Sequence, residues 1–385
     1  MTKNDNIKSK FDKTRIPIKD LASGDKLHLN LFRLTGDAPG PHIHIQSSVH
    51  GAELQGNAVI FELLKYFKEH SFNGTITFIP VANPQATTTK IGTATLGRFN
   101  SVTGNNFNRN YVDIIKESNF DIEKFLDENA ELSWSDLKKT YKQTIFTLLK
   151  EYQGHQSVRG LCENKKLNLV LQKLASSADI VLDLHTGPVA TRYLYSANYQ
   201  KSSAKYFLFP HTLLIPNEFA GAMDEACFCP WVYLHQALEK RDIHHPRDVE
   251  AYTVELGSEE KISTIEAHED ARRILHYLCS KNVISERPDI SHGDQFYCDL
   301  DQYKTYYLPH GGLVEYLRGP GERFRAGEEL YRILNLSKLE SLEELEDCTH
   351  TVTAMSDGIV INHSPACSLG EGAEVMQVME SPLPY

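Results

Sequence analysis

The spacing of apolar and polar residues changes period several times along the chain, and each change marks an element. Lys26–Leu34 alternates, with Leu27, Leu29 and Leu31 on one face, which predicts a strand. Pro41–Val49 is a second apolar run, set off by the turn residues Gly36 to Gly40. Over Glu53–Lys68 the period lengthens, and Val59, Ile60, Leu63, Leu64 and Phe67 line one helical face. Thr75–Ile79 returns to strand character; Pro80 ends regular pairing, and Asn83-Pro84 leads into a loop. Further on, the pattern predicts a helix over Asn164–Ser176, a central strand over Ala178–Gly187 and another strand over Phe207–Ile215. A helix over Gly221–Glu239, a strand over Tyr252–Gly257 and a helix over Ser263–Ser280 complete the series. Strands alternating with helices predict a doubly wound α/β fold, a mixed sheet flanked by helices.

Three stretches depart from that rhythm. Gln85–Asn110 is rich in Thr, Asn and Gly and has no apolar period; a long irregular loop inside a compact domain is a functional candidate. Asp113–Lys150 is charged and helical in pattern and reads as a surface insertion with a solvated face. Beyond Pro288, short apolar runs alternate with glycines. Gly311–Leu330 and Asp357–Val375 each show a Gly-led strand, a glycine turn and another strand, a weak internal repeat, with acidic Lys338–Asp347 as a helical or flexible connector. The expected division is a polar tail over 1–20, an α/β domain over 21–288 with an insertion at about 113–160, and a small C-terminal β domain over 289–385.

Composition narrows the function classes. The 385 residues carry a net charge of −11 with no basic block, which disfavours nucleic acid and anionic membrane as main partners. Met1–Lys19 is polar and lysine-rich, and no run of about 18 apolar residues occurs, so neither a signal peptide nor a spanning helix is expected. The seven cysteines are scattered and odd in number, which suits free thiols in a cytoplasmic protein. Cys227 and Cys229 could bind metal, but buried packing cysteines are the safer reading.

The chemistry gathers at predicted strand ends. The run ending at Val49 is followed by His50, Gly51, Ala52 and Glu53. The strand over 178–187 carries Asp183 and His185, and that over 252–257 carries Glu255. A catalytic zinc takes three N or O ligands and keeps one position open for water. His50, Glu53 and His185 would supply that set if the three strands run parallel. Asp183, on the same strand face as His185, could fix the imidazole tautomer, or simply be satisfied by backbone. Glu255 would be the general base; otherwise it caps the next helix. Arg98 and Arg109 are the loop's cations, suited to an oxyanion and a carboxylate, with Asn108 assisting, or else they make loose surface ion pairs.

His50-Gly51-Ala52-Glu53, Asn83-Pro84, Asn108-Arg109, Asp183-Leu184-His185-Thr186 and Glu255-Leu256-Gly257 resemble, in order, the succinylglutamate desuccinylase/aspartoacylase family of the zinc carboxypeptidase clan. The resemblance spans about Pro41 to Ser280. It implies one zinc per chain on His50, Glu53 and His185, with Glu255 as general base. Arg98 would polarise the scissile carbonyl, and Asn108 with Arg109 would grip a substrate carboxylate. It also implies a carboxypeptidase-like fold and a small N-acyl amino acid as substrate, in a protein that could form homo-oligomers. Asn106-Phe107-Asn108-Arg109 stands where the family often has Asp-Leu-Asn-Arg, and the interval from Arg98 to Asn108 is long. Tyr297, Tyr303, Tyr306 and Tyr307 compete for the C-terminal tyrosine that the family places near substrate. Two alternatives remain open at this level: a zinc carboxypeptidase acting on peptides, and a non-catalytic module that binds zinc or a carboxylate.

Overall fold

The computed structural model describes residues 10–385. A ten-stranded mixed sheet forms its centre. In chain order the strands are β1 (Lys10–Asp20), β2 (Lys26–Thr35), β3 (Ala38–Ser47), β4 (Asn73–Ile79), β5 (Ile180–Gly187), β6 (Arg192–Ala197), β7 (His211–Ile215), β8 (Glu250–Ser258) and β9 (Phe296–Asp299), closed by the short strand Leu383–Pro384. Their order in space is β1-β2-β4-β3-β5-β8-β6-β7-β9, then Leu383–Pro384. β4, β3, β5 and β8 are mutually parallel, so their C-terminal ends share one edge, as the α/β reading requires.

Alternation along these strands sorts the two faces. Ile43 and Ile45, Leu182 and Leu184, and Tyr252 and Val254 pack in one apolar cluster with residues of helices α1 (Gln55–Glu69) and α5 (Thr264–Ser280). The intervening residues face the other way. There, Val181 and Ala251 join the cluster built with Leu167 and Leu171 of α3 (Glu163–Ala175) and Phe228 and Val232 of α4 (Met223–Glu239). Toward the shared edge this second face turns polar, with Gln46, Asp183, His185, Thr253 and Glu255 buried along it. A one-residue slip of β5 would drive Asp183 and His185 in among the α1 and α5 side chains, so burial of Leu182 and Leu184, about 1.5–3 kcal/mol each, also fixes the register of the polar file.

The insertion contributes helix α2 (Trp134–Gln156), whose Tyr141, Ile145 and Leu149 bury against Trp231 and Leu234 of α4. It therefore has an apolar inner face beneath its charged outer one. Residues beyond β9 form strands in two smaller sheets. In the first half of the expected repeat, Gly312–Tyr316 pairs with Glu329–Leu334; in the second, Gly358–His363 pairs with Glu374–Glu380. Each half sends its short middle strand to the other: Arg323–Phe324 pairs with Gly358–His363, and Ser368–Leu369 pairs with Gly312–Tyr316. The exchange makes the repeat a single interlocked unit. The connector forms short 3₁₀ turns over Leu336–Lys338 and Leu342–Cys348.

Several sequence boundaries shift. Residues 10–20, expected as tail, form β1, an edge strand paired antiparallel with β2; residues 1–9 lie outside the described part. Its largely exposed, lysine-bearing edge gives no apolar alternation to read, a composition that also discourages edge-to-edge pairing. β3 stops at Ser47 because Ser48 takes a left-handed conformation at φ +57°, and α1 starts at Gln55, so both His50 and Glu53 lie in the turn between them. The expected strand over 207–215 is split: Lys205–Phe207 is a 3₁₀ turn, Leu208 sits at φ +55°, and β7 begins at His211. The sheets also cross the boundary expected at 288/289: β9 and Leu383–Pro384 extend the large sheet, while Val189–Ala190 pairs with Gly358–His363.

Candidate active site

The turn after β3 is held by two crossing backbones. Gly51 donates its N–H to Gly97 O at 2.9 Å, and a Cβ on Gly51 would fall 2.2 Å from Ala86 O. Only glycine fits such an approach. The crossing lays the start of the Arg98 loop beside His50. The long interval from Arg98 to Asn108 closes on itself: Phe99 bridges Asn106, Asn100 N–H reaches Asn105 O at 2.8 Å, and Phe107 N–H reaches Arg98 O at 3.1 Å. The extra residues thus form a side loop, and Arg98 stays next to Asn108.

His50, Glu53 and His185 come together, with candidate ligand atoms all within 4.8 Å of one another. His50 Nδ1 lies 2.8 Å from Glu53 Oε1 and His185 Nδ1 lies 2.7 Å from Glu53 Oε2. Each ring is backed on its far side by an acceptor. His50 Nε2 is 2.8 Å from Asn106 Oδ1, an oxygen that also accepts Asn108 N–H at 2.8 Å. His185 Nε2 is 2.9 Å from Asp183 Oδ2. An acceptor behind Nε2 favours a ring proton there whenever Nδ1 is taken by a cation. Two ring nitrogens and a carboxylate facing each other at these distances share a positive charge, whether of ring protons or of a metal ion. The donor set therefore fits a divalent cation such as zinc.

Local electrostatics carry the same imprint. Burial alone would raise the Glu53 carboxyl, but His50 and His185 hold it well below the ordinary value. Burial lowers the His50 imidazole. Burial opposes charge on His185 too, yet Asp183 and Glu53 outweigh it and raise that imidazole well above its usual range. Asp183 is steadied in turn by Gln46 Nε2, which donates to its Oδ1 at 3.0 Å, and His44 lies 3.3 Å beyond, on Gln46 Oε1.

Glu255 pairs with His185 across β5 and β8 and with Tyr193 across β6. Its side chain is buried, and Oε2 has no hydrogen-bond partner among the described residues. Burial first, and the Glu53 charge second, push its carboxyl up to about 8. An ionisable group left unpaired in a buried place is a mark of function rather than of folding.

All seven candidate residues line one cavity of about 650 Å³. Arg98 Nη2 is 3.0 Å from Glu53 Oε1, Asn108 Nδ2 is 3.3 Å from His185 Nε2, and Arg109 is anchored through Nη1 to Asn108 O at 2.6 Å. Of the four competing tyrosines, Tyr303 lines the cavity, and Tyr297, Tyr306 and Tyr307 do not. No insertion residue lines it. Instead Leu300, Tyr303, Asn362, Glu374 and Gln377 form its C-terminal wall. Tyr303 apart, sequence reading missed that wall, since nothing in the local pattern ties the other residues to the site. It also missed Asn106 and Gln46, although their places, two residues before Asn108 and on the alternating polar face of β3, were available signals. Cys227 and Cys229 are buried, free packing residues.

Comparison with protein families matches residues 39–279 to the succinylglutamate desuccinylase/aspartoacylase catalytic domain. Comparison with curated proteins returns no match. Among solved structures, a succinylglutamate desuccinylase/aspartoacylase from Shewanella frigidimarina NCIMB 400 is 36% identical, with a TM-score of 0.92 over 98% of this chain and 99% of that one. A succinylglutamate desuccinylase/aspartoacylase family protein from Shewanella amazonensis SB2B is 37% identical, with a TM-score of 0.91 over 97% and 100%. The product-bound ectoine utilization protein EutE (DoeB) from Ruegeria pomeroyi shares the fold at 15% identity, with a TM-score of 0.62 over 96% and 94%.

Proposed function

Because the chain belongs to the succinylglutamate desuccinylase/aspartoacylase family, we propose that it is a zinc-dependent amidohydrolase cleaving the amide bond of a small N-acyl amino acid. One observation carries this reading: two imidazole Nδ1 atoms and a carboxylate converge beside a buried, unpartnered Glu255 in a single cavity. Zinc held by His50, Glu53 and His185 would supply Lewis-acid activation of water and of the substrate carbonyl. The chain's own residues do the rest. Glu255 takes the proton of the attacking water and delivers it to the leaving amine. Neutralising Glu53 would weaken one of the three causes that raise Glu255, burial, Glu53 and Asp183, and so favour the ionised form that a base needs. Arg98, beside Glu53, stabilises the developing oxyanion, and Arg109 with Asn108 holds a substrate carboxylate. Asp183 and Asn106, placed behind the two Nε2 atoms, would favour the ligating tautomer of both rings.

The C-terminal wall supports small substrates over peptides, because it adds C-terminal side chains to a cavity already lined by the Arg98 loop. The test is hydrolysis of a panel of N-acyl amino acids against a panel of dipeptides and longer peptides, with zinc-loaded protein and metal content measured alongside. Cleavage of the acyl amino acids with a stoichiometry of one zinc is expected. Cleavage of peptides alone would make the protein a carboxypeptidase, and metal binding without any hydrolysis would make it a binding module.

A further inference from the structure

The charges lining the cavity say more about the substrate than its family does. Among the described residues lining it, the cations are Arg98 and Arg109. Arg98 lies on Glu53 at 3.0 Å and, in the reading above, serves the reacting carbonyl. Arg109 makes no ion pair among the described residues and is left for one carboxylate of the ligand. Beyond Glu53 and Glu255, the same lining carries four more acids: Asp224, Glu225, Glu259 and Glu374. Glu225 is fixed by accepting Ala220 N–H at 2.7 Å and Ala222 N–H at 2.9 Å.

The C-terminal wall offers an anion no cation and little hydrogen-bonding capacity. Tyr303 donates to Gln377 Oε1 at 2.7 Å, and Asn362 Nδ2 donates both to that oxygen at 2.8 Å and to the Tyr303 hydroxyl at 2.9 Å. This triangle consumes the Tyr303 proton and both N–H groups of Asn362. Gln377 Nε2 is tied in addition to Thr305 Oγ1 at 3.2 Å. The wall is thus neutral and already hydrogen-bonded, with the Glu374 carboxylate beside it. A second carboxylate entering the cavity would lose water, find no cation and face like charge.

We propose that this cavity selects N-acyl amino acids carrying a single carboxylate, and rejects both dicarboxylic amino-acid conjugates and succinyl conjugates. The proposal rests on the amidohydrolase reading for its chemistry but not for its binding. Zinc-loaded protein is assayed on three probes: N-acetylglutamine, N-acetylglutamate and N-succinylglutamine. We expect kcat/KM for N-acetylglutamine to exceed each of the others at least 100-fold; a ratio within threefold for either pair, or a reversed preference, overturns the proposal. Calorimetry with glutamine and glutamate gives a readout free of turnover. Glutamine is expected to bind at least tenfold tighter, while equal affinity, tighter glutamate or binding of neither overturns the proposal. Failure to hydrolyse these probes and the whole acyl amino acid panel, with glutamine still preferred in calorimetry, would overturn the amidohydrolase reading and leave the selectivity standing. Finally, Glu374→Arg at the exposed rim should narrow at least one of the two activity gaps tenfold, and no narrowing of either removes the acidic wall from the explanation.

Discussion

The same sheet carries a large cleft at each end of its central strands, and the two use charge in opposite ways. At the N-terminal ends of β3, β5 and β8 a cleft of about 780 Å³ is lined by Lys138, Lys139, Lys142, Lys281, Asp179 and Asp248. Most of these charges are matched within the protein: Lys142 to Asp179 at 2.6 Å, Lys138 to Asp248 at 2.7 Å, and Lys281 to Glu250 at 2.6 Å. At the C-terminal ends, in the smaller cavity of about 650 Å³, two imidazoles and Arg98 crowd the single Glu53 carboxylate, and Glu255 has a free oxygen. Size and charge density are therefore poor guides to function here. What separates the two ends is imbalance: the N-terminal cleft is complete as folded, and the C-terminal cavity is complete only with a ligand.

If imbalance marks the working end, the largest effects come from neutralising it. Glu255→Gln should lower kcat by about 10²–10⁴-fold while the protein keeps its zinc, because the amide preserves shape but cannot take a proton. Steady-state kinetics paired with metal analysis checks this, and full activity in the variant would remove Glu255 from the mechanism. Asp183→Asn comes next. It weakens the acceptor behind His185 Nε2, so zinc affinity should fall about 10–100-fold with little change of fold. Competition with a chelator measures the loss, and unchanged affinity would mean that His185 is oriented by other contacts. Arg109→Ala should be milder, raising KM for carboxylate substrates about tenfold with kcat nearly constant. A change in kcat alone would place Arg109 at the reacting bond instead.

The imbalance was partly readable in the chain itself. Two-residue alternation in β5 put Asp183 and His185 on one face, and the parallel order that alternating strands and helices imply brought His50, His185 and Glu255 to one edge. Those are short-range periodicities, which a sequence displays directly. Harder to read were contacts that depend on how far a loop folds back. The side loop over 99–106 keeps Arg98 in place despite its distant number, and the Gly51–Gly97 crossing is visible only once both backbones are placed. Least legible were β1, whose polar edge has no apolar signature, and the C-terminal wall, where Asn362 and Gln377 reach the cavity from strands with no sequence link to it. The reciprocal strand exchange between the halves of the C-terminal repeat is of the same kind, since pairing partners leave no local trace.

The smallest expected effect tests the other end. Lys142→Met breaks the ion pair with Asp179 while keeping most of the apolar stem in place. Both side chains are mostly buried, at 15% and 17% exposure, so the pair is not a solvent-screened surface contact. Asp179 nevertheless retains Lys138 at 3.5 Å and the His42 N–H at 2.9 Å, which keeps the cost well short of orphaning a buried charge. A loss of about 1–2 kcal/mol in denaturant unfolding is expected, with kcat/KM unchanged. The sign of the pH dependence follows from Asp179. Burial opposes its ionisation, but Lys142, the His42 N–H and Lys138 together outweigh burial and the folded carboxyl lies below its ordinary value. The unfolded chain then binds more protons than the folded one between those two values, so the stabilisation is complete above about pH 4 and disappears as the pH falls through the folded pKa. The gap between wild type and Lys142→Met should therefore close on acidification. A gap that persists at low pH would show that Lys142 acts through packing alone, and a loss of activity in the variant would mean that the two ends of the sheet are coupled rather than merely contrasted.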